Sequence, residues 1–490
     1  MSIRGGKSEL FIGIINPVGV ENNLVISNLR ACLNKFNYEV IVIEVSNDII
    51  AKFEQEKFIS NSEYERIMHY MDLGNEIRKN SNDNAILMKG VSSELFRKRK
   101  EIKKGKEGPL ERYAYIIKSI KHTDEIEYLR ETYNDGFYLI GIQSDDKRRI
   151  KYFQQKNLTD LQAKELLERD ENEELAFGQH TRDAFQHSDY FIELTEDTDL
   201  LYNSIERFVD LIFSNPYITP NFDEYAMFMA YSSSLRSADL SRQVGAVVTK
   251  ENEILSLGVN DCPKYGGGLY WPKFIDKKFI DEDDGRDYKV GYDSNKKEQQ
   301  NLINKILDSL EIEKTENNYI KVKNAGINDL TEYGRVVHAE MEALLCCSRN
   351  NISCRDADLY VTTFPCHNCA KHIIAAGIKR VVYIEPYPKS KAFSFYNNEI
   401  TRDISDINKI HYEPFIGVGP QRFIDLFAFS SIKWAKKIRK NEKGEAIKWK
   451  REIAELRTPI AVLSYLELEK SAVMNFEDET KEYKQKGDKK

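Results

Sequence analysis

The stretch of this 490-residue sequence that most constrains its fold lies between residues 338 and 369. It reads His338-Ala339-Glu340 and, after the apolar run Leu359-Tyr360-Val361-Thr362, ends on Pro365-Cys366-His367-Asn368-Cys369. Its periodicity predicts a helix over 338–348, a strand over 358–363, a helix over 366–376 and a strand over 380–384. Two cysteines at i and i+3 face the same way on a helix. The strand and Pro365 before them set both at that helix's N-terminus, where unpaired N–H groups and the helix dipole stabilise thiolates. His338, Cys366 and Cys369 are therefore candidate metal ligands. Zinc accepts imidazole nitrogen and thiolate sulfur, and a site with three protein ligands leaves its fourth position to water. Bound zinc lowers the pKa of that water to about 7. Glu340 is the candidate catalytic carboxylate, able to take a proton from water, pass one to an acceptor and protonate a leaving group. The competing reading is a structural zinc knot, which needs a fourth protein ligand. His367, Cys346, Cys347 and Cys354 are the residues that could supply it. A redox C-x-x-C pair would need neither His338 nor Glu340.

Seven cysteines, an odd number in a long chain, do not suggest a disulfide framework. No run approaches the eighteen or so apolar residues of a membrane helix. The apolar run near the N-terminus reads as a strand and not as a signal peptide, so the expected location is the cytoplasm. Net charge is −7, which argues against a nucleic-acid-binding surface and leaves a phosphate-bearing small molecule open.

The N-terminal part alternates strand and helix, as a parallel α/β sheet requires. Strands are expected at 10–15, 40–45, 137–142 and 190–194, and helices at 21–36, 62–79, 111–121 and 146–169. Asn215-Pro216-Tyr217-Ile218-Thr219-Pro220 marks the boundary, since two prolines stop a helix. Beyond it a helix over 223–234 and strands at 244–249 and 254–258 begin a second α/β unit. Residues 262–335, with Gly266-Gly267-Gly268 and Asp281-Glu282-Asp283-Asp284, read as an insertion or lid. The basic stretch Lys433–Arg451, with Trp434 and Trp449, reads as a solvated helix face with its tryptophans buried. The expected domains are 1–215, 216–465 and a charged tail, 466–490, whose last dozen residues have a disordered composition.

Gly13 and Gly19 bracket the turn after the first strand, where a phosphate-binding loop would sit. A working P-loop reads G-x-x-x-x-G-K-[ST]. Here the second glycine comes one place late and Val20-Glu21-Asn22 follow it, so neither lysine nor hydroxyl is in register. Backbone N–H groups could still cradle a phosphate, but phosphoryl transfer is unsupported.

The pattern H-x-E followed by P-C-x-x-C resembles that of the zinc deaminases. The segment Arg236-Ser-Ala-Asp-Leu-Ser-Arg242-Gln-Val-Gly-Ala-Val-Val resembles the opening of deoxycytidylate deaminases, and Gly258-Val259-Asn260 their G-Y-N element. The resemblance implies a substrate contact for Asn260, and Arg236 and Arg242 are candidate phosphate contacts because a guanidinium fork suits phosphate oxygens. The whole chain resembles two-domain bacterial anti-phage dCTP deaminases through the runs at 338–345, 360–378, 385–391 and 291–295. That family pairs an N-terminal P-loop-kinase-like parallel-sheet domain with a C-terminal cytidine-deaminase-like α/β/α domain. It implies one catalytic Zn2+ per chain, a deoxycytidine nucleotide as substrate, drainage of dCTP against phage, a homo-oligomer, and an inhibitory partner, RNA or protein. Three rivals stand beside it: a housekeeping dCMP deaminase, a nucleic-acid deaminase, and a non-catalytic nucleotide sensor with structural zinc. A nucleic-acid deaminase needs a basic groove with stacking aromatics. Tyr265, Tyr270 and Trp271 are aromatic, but the acidic cluster 281–284 lies close by in sequence.

Overall fold

Strand β1 (Leu10–Ile15) is apolar at every position but one glycine and buried throughout, as a parallel strand covered on both faces must be. In the computed structural model, which describes residues 8–56, 58–172, 181–385, 390–403, 405–430, 436–458 and 462–487, the chain forms two units. One comprises Met1–Pro220 with Ile416–Lys490, and the other Asn221–Phe415.

In the first unit β1 is joined by β2 (Glu39–Glu44), β3 (Tyr113–Ile120), β4 (Phe137–Gln143) and β5 (Tyr190–Glu193). These five run parallel in the order β5-β4-β1-β3-β2. The expected helix over 111–121 is instead strand β3. Tyr113, Tyr115, Ile116 and Ile117 suit a pleated strand, and lying between β1 and β2 buries most of its length. The single helix expected over 146–169 is two, Asp146–Gln155 and Asp160–Asn172. They are parted where Asn157 adopts φ 64°, a left-handed conformation that ends a helix. Helices at Ile86–Ile102, Thr123–Tyr133 and Thr198–Ile212 went unread in the sequence.

The C-terminal boundary is also corrected. Residues 416–490 belong to the first unit and not to a domain ending at 465. Gly417–Val418 adds an antiparallel strand beside β5, and Leu426, Ala454 and Leu456 join the first unit's core. The expected charged tail is largely a helix, Val462–Gly487. Tyr465, Glu469, Ala472 and Phe476 are buried on it, the spacing of one helical face, and it packs on Ile86–Ile102. Arg99 ties the two together: it is 2.6 Å from Glu469 and 2.9 Å from Glu9, with all three side chains essentially solvent-free. Residues 436–450 hold no helix; Lys440 and Ala446 pair as a β-bridge. Trp449 does pack inward, 5.9 Å from the Phe36 ring, whereas Trp434 lies outside the described residues.

The second unit holds β6 (Gly245–Lys250), β7 (Glu253–Val259), a separate hairpin β8 (Lys273–Ile275) and β9 (Lys278–Ile280), then β10 (Asp358–Thr363), β11 (Arg380–Glu385), β12 (Ile400–Thr401) and β13 (Ile410–Pro414). Its main sheet is ordered β12-β13-β11-β10-β6-β7. Two glycines let helices lie against it. A Cβ on Gly245 would stand 1.8 Å from the Ala230 carbonyl, and one on Gly258 would stand 2.0 Å from that of Ala339. Gly245 and Gly258 point to opposite faces, so Phe222–Ser234 and Ala339–Arg349 cover opposite sides of the sheet. The insertion is a folded segment whose ends meet at the Asp261–Val337 bridge. Within it Gly291 ends one short helix at φ 90°, and Asp293 caps the helix Ser294–Ser309.

Candidate metal centre

His338 and Cys366 hold equivalent places in the second unit. Each is the N-cap of a helix, Ala339–Arg349 and His367–Ala376, and neither uses its side chain to cap it. Both side chains are thereby left to face each other. His338 Nδ1 lies 3.5 Å from Cys366 Sγ and 3.3 Å from Cys369 Sγ. The three donor atoms lie within 4.8 Å of one another, the one such group of three among the described residues. No fourth histidine, cysteine or carboxylate joins them among those residues. Cys347 instead donates to Ser256 Oγ at 3.1 Å, and neither Cys346, Cys354 nor His367 belongs to the group. Two thiolates and an imidazole with one direction left over fit zinc of the open kind and not a closed knot.

Protonation within the cluster fits the same ion. A hydrogen bond from Cys369 leads in drawing the Cys366 thiol down to about 4, with His338 helping. The bond to Cys366 raises His338 to about 9, and Cys369 is pushed well above its ordinary value by the bond to Cys366 and by burial. The cluster thus holds protons that a dication would displace. Tyr412, fully buried on β13 in the same apolar cluster as Cys366 and Cys369, has no partner for its hydroxyl among the described residues. The sequence pattern gave no sign of it, because His411 and Glu413 break the apolar run of its short strand.

Glu340 lies in the first turn after His338 and is 4% exposed. Burial raises its carboxyl from 4.5 to about 7. A buried acid poised near neutrality can both give and take a proton at working pH.

The expected substrate contacts are placed less uniformly. Asn260 Oδ1 accepts from the Val244 N–H at 2.7 Å, and its Nδ2 donates to the Arg242 carbonyl at 2.8 Å, so its amide braces the segment before β6. Arg236 is turned into the insertion: it donates to the Tyr270 carbonyl at 2.7 Å and lies 3.6 Å from the centre of the Trp271 ring. Arg242 is half exposed and 3.4 Å from Glu385, whose other oxygen accepts from Thr363. That puts it at the ends of β10 and β11, just before Cys366. Residues 386–389 of the 385–391 run lie outside the described residues.

In the first unit, Gly13 is not a loop glycine. It lies within β1, where a Cβ would stand 2.4 Å from Ile120 and 2.8 Å from Phe137. Gly19 is in the turn, at φ 82°. The turn is filled from within: the Val18 N–H donates to Asp170 Oδ2 at 2.8 Å. Lys121 binds Asp170 at 3.1 Å and the Asn16 carbonyl at 2.8 Å, while Arg149 donates to the Val18 carbonyl at 2.8 Å.

Residues 220–385 match the family model described as "Cytidine and deoxycytidylate deaminase zinc-binding region". Over 163 residues the chain is 29% identical to the deoxycytidylate deaminase of Enterobacteria phage T4, covering 33% of this chain and 77% of that one. Over 164 residues it is 30% identical to the deoxycytidylate deaminase of Mus musculus, covering 33% and 63%. A solved structure of dCMP deaminase from the cyanophage S-TIM5, in complex with dCMP and dUMP, aligns at 19% identity over 41% of this chain and 100% of that chain, with a TM-score of 0.24. A zinc-binding deaminase region is thus present in this chain, and its His338, Cys366 and Cys369 could hold a zinc ion.

Proposed function

We propose that this chain catalyses the hydrolytic loss of ammonia from C4 of a deoxycytidine nucleotide. The observation that carries this reading is a three-donor cluster with no fourth protein ligand among the described residues, beside a buried carboxyl raised to about 7. His338, Cys366 and Cys369 would hold zinc, which when bound supplies the Lewis acidity that makes hydroxide available at neutral pH. Glu340 takes the proton released as water is activated and delivers it to ring nitrogen N3. It then takes the proton of the hydroxyl now on C4, which becomes the carbonyl, and passes it to the departing amine, so that water enters and ammonia leaves. Arg242 is the better placed of the two candidate phosphate contacts, and Asn260 acts by holding the Arg242–Val244 backbone.

Free nucleotide is favoured over nucleic acid by the net charge of −7. The resemblance to two-domain anti-phage enzymes supports dCTP as substrate, with depletion of the dCTP pool as the defence. It also supports a homo-oligomer held off by an inhibitory partner, RNA or protein. The names of the T4 and mouse relatives favour dCMP instead, which makes a housekeeping dCMP deaminase the second reading. A controlling role for the first unit is supported by its turn after β1, which lacks the lysine and hydroxyl of phosphoryl transfer. The test is incubation of zinc-loaded protein with cytosine and adenine nucleosides and their mono- and triphosphates, with products followed by mass. A one-dalton gain on dCTP or dCMP is expected, and no product from any cytosine compound would overturn the reading.

A further inference from the structure

Across the main sheet of the second unit, Tyr412 on β13 lies beside Val381 on β11, followed by Leu359 on β10, Val248 on β6 and Ser256 on β7. That row lies under the helices capped by His338 and Cys366. Ser256 Oγ donates to the Ala343 carbonyl at 2.8 Å, and Tyr412, Val381 and Leu359 share one apolar cluster with Cys366 and Cys369. The Tyr412 ring meets Phe364 at 5.5 Å and Phe393 at 5.9 Å between centres. Phe364 stands just past the end of β10 and two residues before Cys366, so the ring leans along the strands toward the metal ligands. Its hydroxyl is fully buried and has no hydrogen-bond partner among the described residues. An unpaired phenol in an apolar interior costs free energy that a phenylalanine in its place would not. Burial raises its pKa above the usual value, and Glu340, Cys369 and Cys366 add to the rise, so the hydroxyl keeps its proton to donate.

We infer that Tyr412 is a positioning residue for the metal centre, its hydroxyl donating a hydrogen bond to the Cys369 thiolate once zinc is held. The two cysteines differ in what surrounds them. Cys366, at its helix N-cap, accepts from the Cys369 N–H, so a backbone donor already answers its charge. The contacts of Cys369 Sγ run to Cys366, His338 and Glu340, which are its fellow ligands and the candidate catalytic carboxyl. Cysteine binds zinc as the thiolate. The fully buried Cys369 sulfur then carries charge with no donor from outside the cluster among the described residues. A hydroxyl without an acceptor and a thiolate without a donor answer one another, and bonds to a charged acceptor are the stronger kind. Partners of this type hold metal-binding side chains in orientation and tune their affinity. The inference rests on the reading of His338, Cys366 and Cys369 as zinc ligands, and not on which nucleotide is deaminated.

Full-length protein stripped of metal and reloaded tests it, with Tyr412→Phe as the variant, since that change removes only the hydroxyl. Thermal unfolding of the metal-free variant is expected to match or exceed that of the wild type, because the hydroxyl has no partner in that state. Competition with a chromophoric chelator should show zinc held about tenfold more weakly. With cobalt(II) in place of zinc, the sulfur-to-metal charge-transfer band should move to longer wavelength, because a thiolate that loses a donor holds its electrons less tightly. Tyr360→Phe is the control. Its hydroxyl lies on the opposite face of the sheet, bonded to Asp223. That change should lower stability with and without metal alike, and leave zinc affinity and the cobalt band unchanged. The inference is overturned if Tyr412→Phe binds zinc as tightly as the wild type with the same cobalt band. It is overturned too if the variant loses as much stability without metal as with it, the mark of a hydroxyl held by buried water. A shift in the pH profile of deamination alone would put the bond on Glu340 and overturn it as well. A wild type that takes up neither metal would overturn the zinc reading itself, a result the other outcomes do not resemble.

Discussion

Asp170 in the first unit and Glu340 in the second are both buried carboxyl groups, and their surroundings give them opposite capacities. Asp170 accepts from a backbone N–H and faces Lys121 and Arg149. A carboxylate so surrounded is settled, and it closes the turn it occupies. Glu340 lies instead among thiols, where burial raises it to about 7. His338 opposes that shift, but burial outweighs it, and such a carboxyl stays ready to exchange protons. Burial alone therefore does not mark a working carboxylate; the groups around the carboxyl do.

Glu340→Gln should break the working side of this comparison with the largest effect. The amide keeps the shape but can neither take nor give the proton, so deamination should fall by about 10³-fold or more. Zinc content and thermal unfolding should match the wild type. If turnover survives, Glu340 is not the proton carrier. Cys369→Ser should lose the metal, read by zinc analysis, because a hydroxyl replaces a soft thiolate at one of three donors.

Asp170→Ala is the matching change on the settled side. It leaves Lys121 and Arg149 without the carboxylate between them, and removing one partner of a buried ion pair costs about 3–5 kcal/mol. Denaturant unfolding should show that loss, while Asp170→Asn should lose less by keeping the acceptor for the Val18 N–H. Equal stability of Asp170→Ala and wild type would mean that the turn is not held by its own anion.

The metal cluster was legible in the sequence because its donors are rare residue types at fixed spacing at two helix starts. Seven elements of the second unit, from Phe222–Ser234 to Arg380–Glu385, were legible for a similar reason: strong apolar runs are separated by clear turns. The role of 416–490 was not, because docking of a distant segment depends on contacts that no local pattern encodes. The helix Val462–Gly487 carries charge on most of its surface, and only Tyr465, Glu469, Ala472 and Phe476 betray its buried face. Strand β3 misled although its aromatic and β-branched residues suit a strand, because its place between β1 and β2 depends on pairing that no local pattern encodes. Gly13 misled because a glycine needed for packing looks the same in sequence as one needed for a turn.

Glu469 stands between the two extremes. Arg99 is shared between it and Glu9, so one cation serves two buried carboxyls. Burial, aided by Glu9 and opposed by Arg99, raises Glu469 from 4.5 to about 7. Between those values the folded chain holds a proton that the unfolded chain has lost. Stability from this group is therefore full below about pH 4.5 and declines as pH rises through 7, on the order of 3 kcal/mol. Glu469→Gln should flatten that part of the pH–stability curve. An unchanged slope would show that the helix Val462–Gly487 docks without this proton.

The smallest effect separates packing from ligand binding at the turn itself. If Gly13 serves only to admit Ile120 and Phe137 across β1, then Gly13→Ala should overpack that layer at a cost of about 1–3 kcal/mol. The intruding atoms are the far ends of side chains, which can shift, so the lower half of that range is expected. Any binding of inorganic pyrophosphate by the N–H groups of the turn should be unaffected, because Gly13 lies inside the strand and Gly19 in the turn. Loss of binding with stability intact would return Gly13 to the role its spacing first suggested, and would mean that the turn after β1 is not as settled as Asp170 makes it.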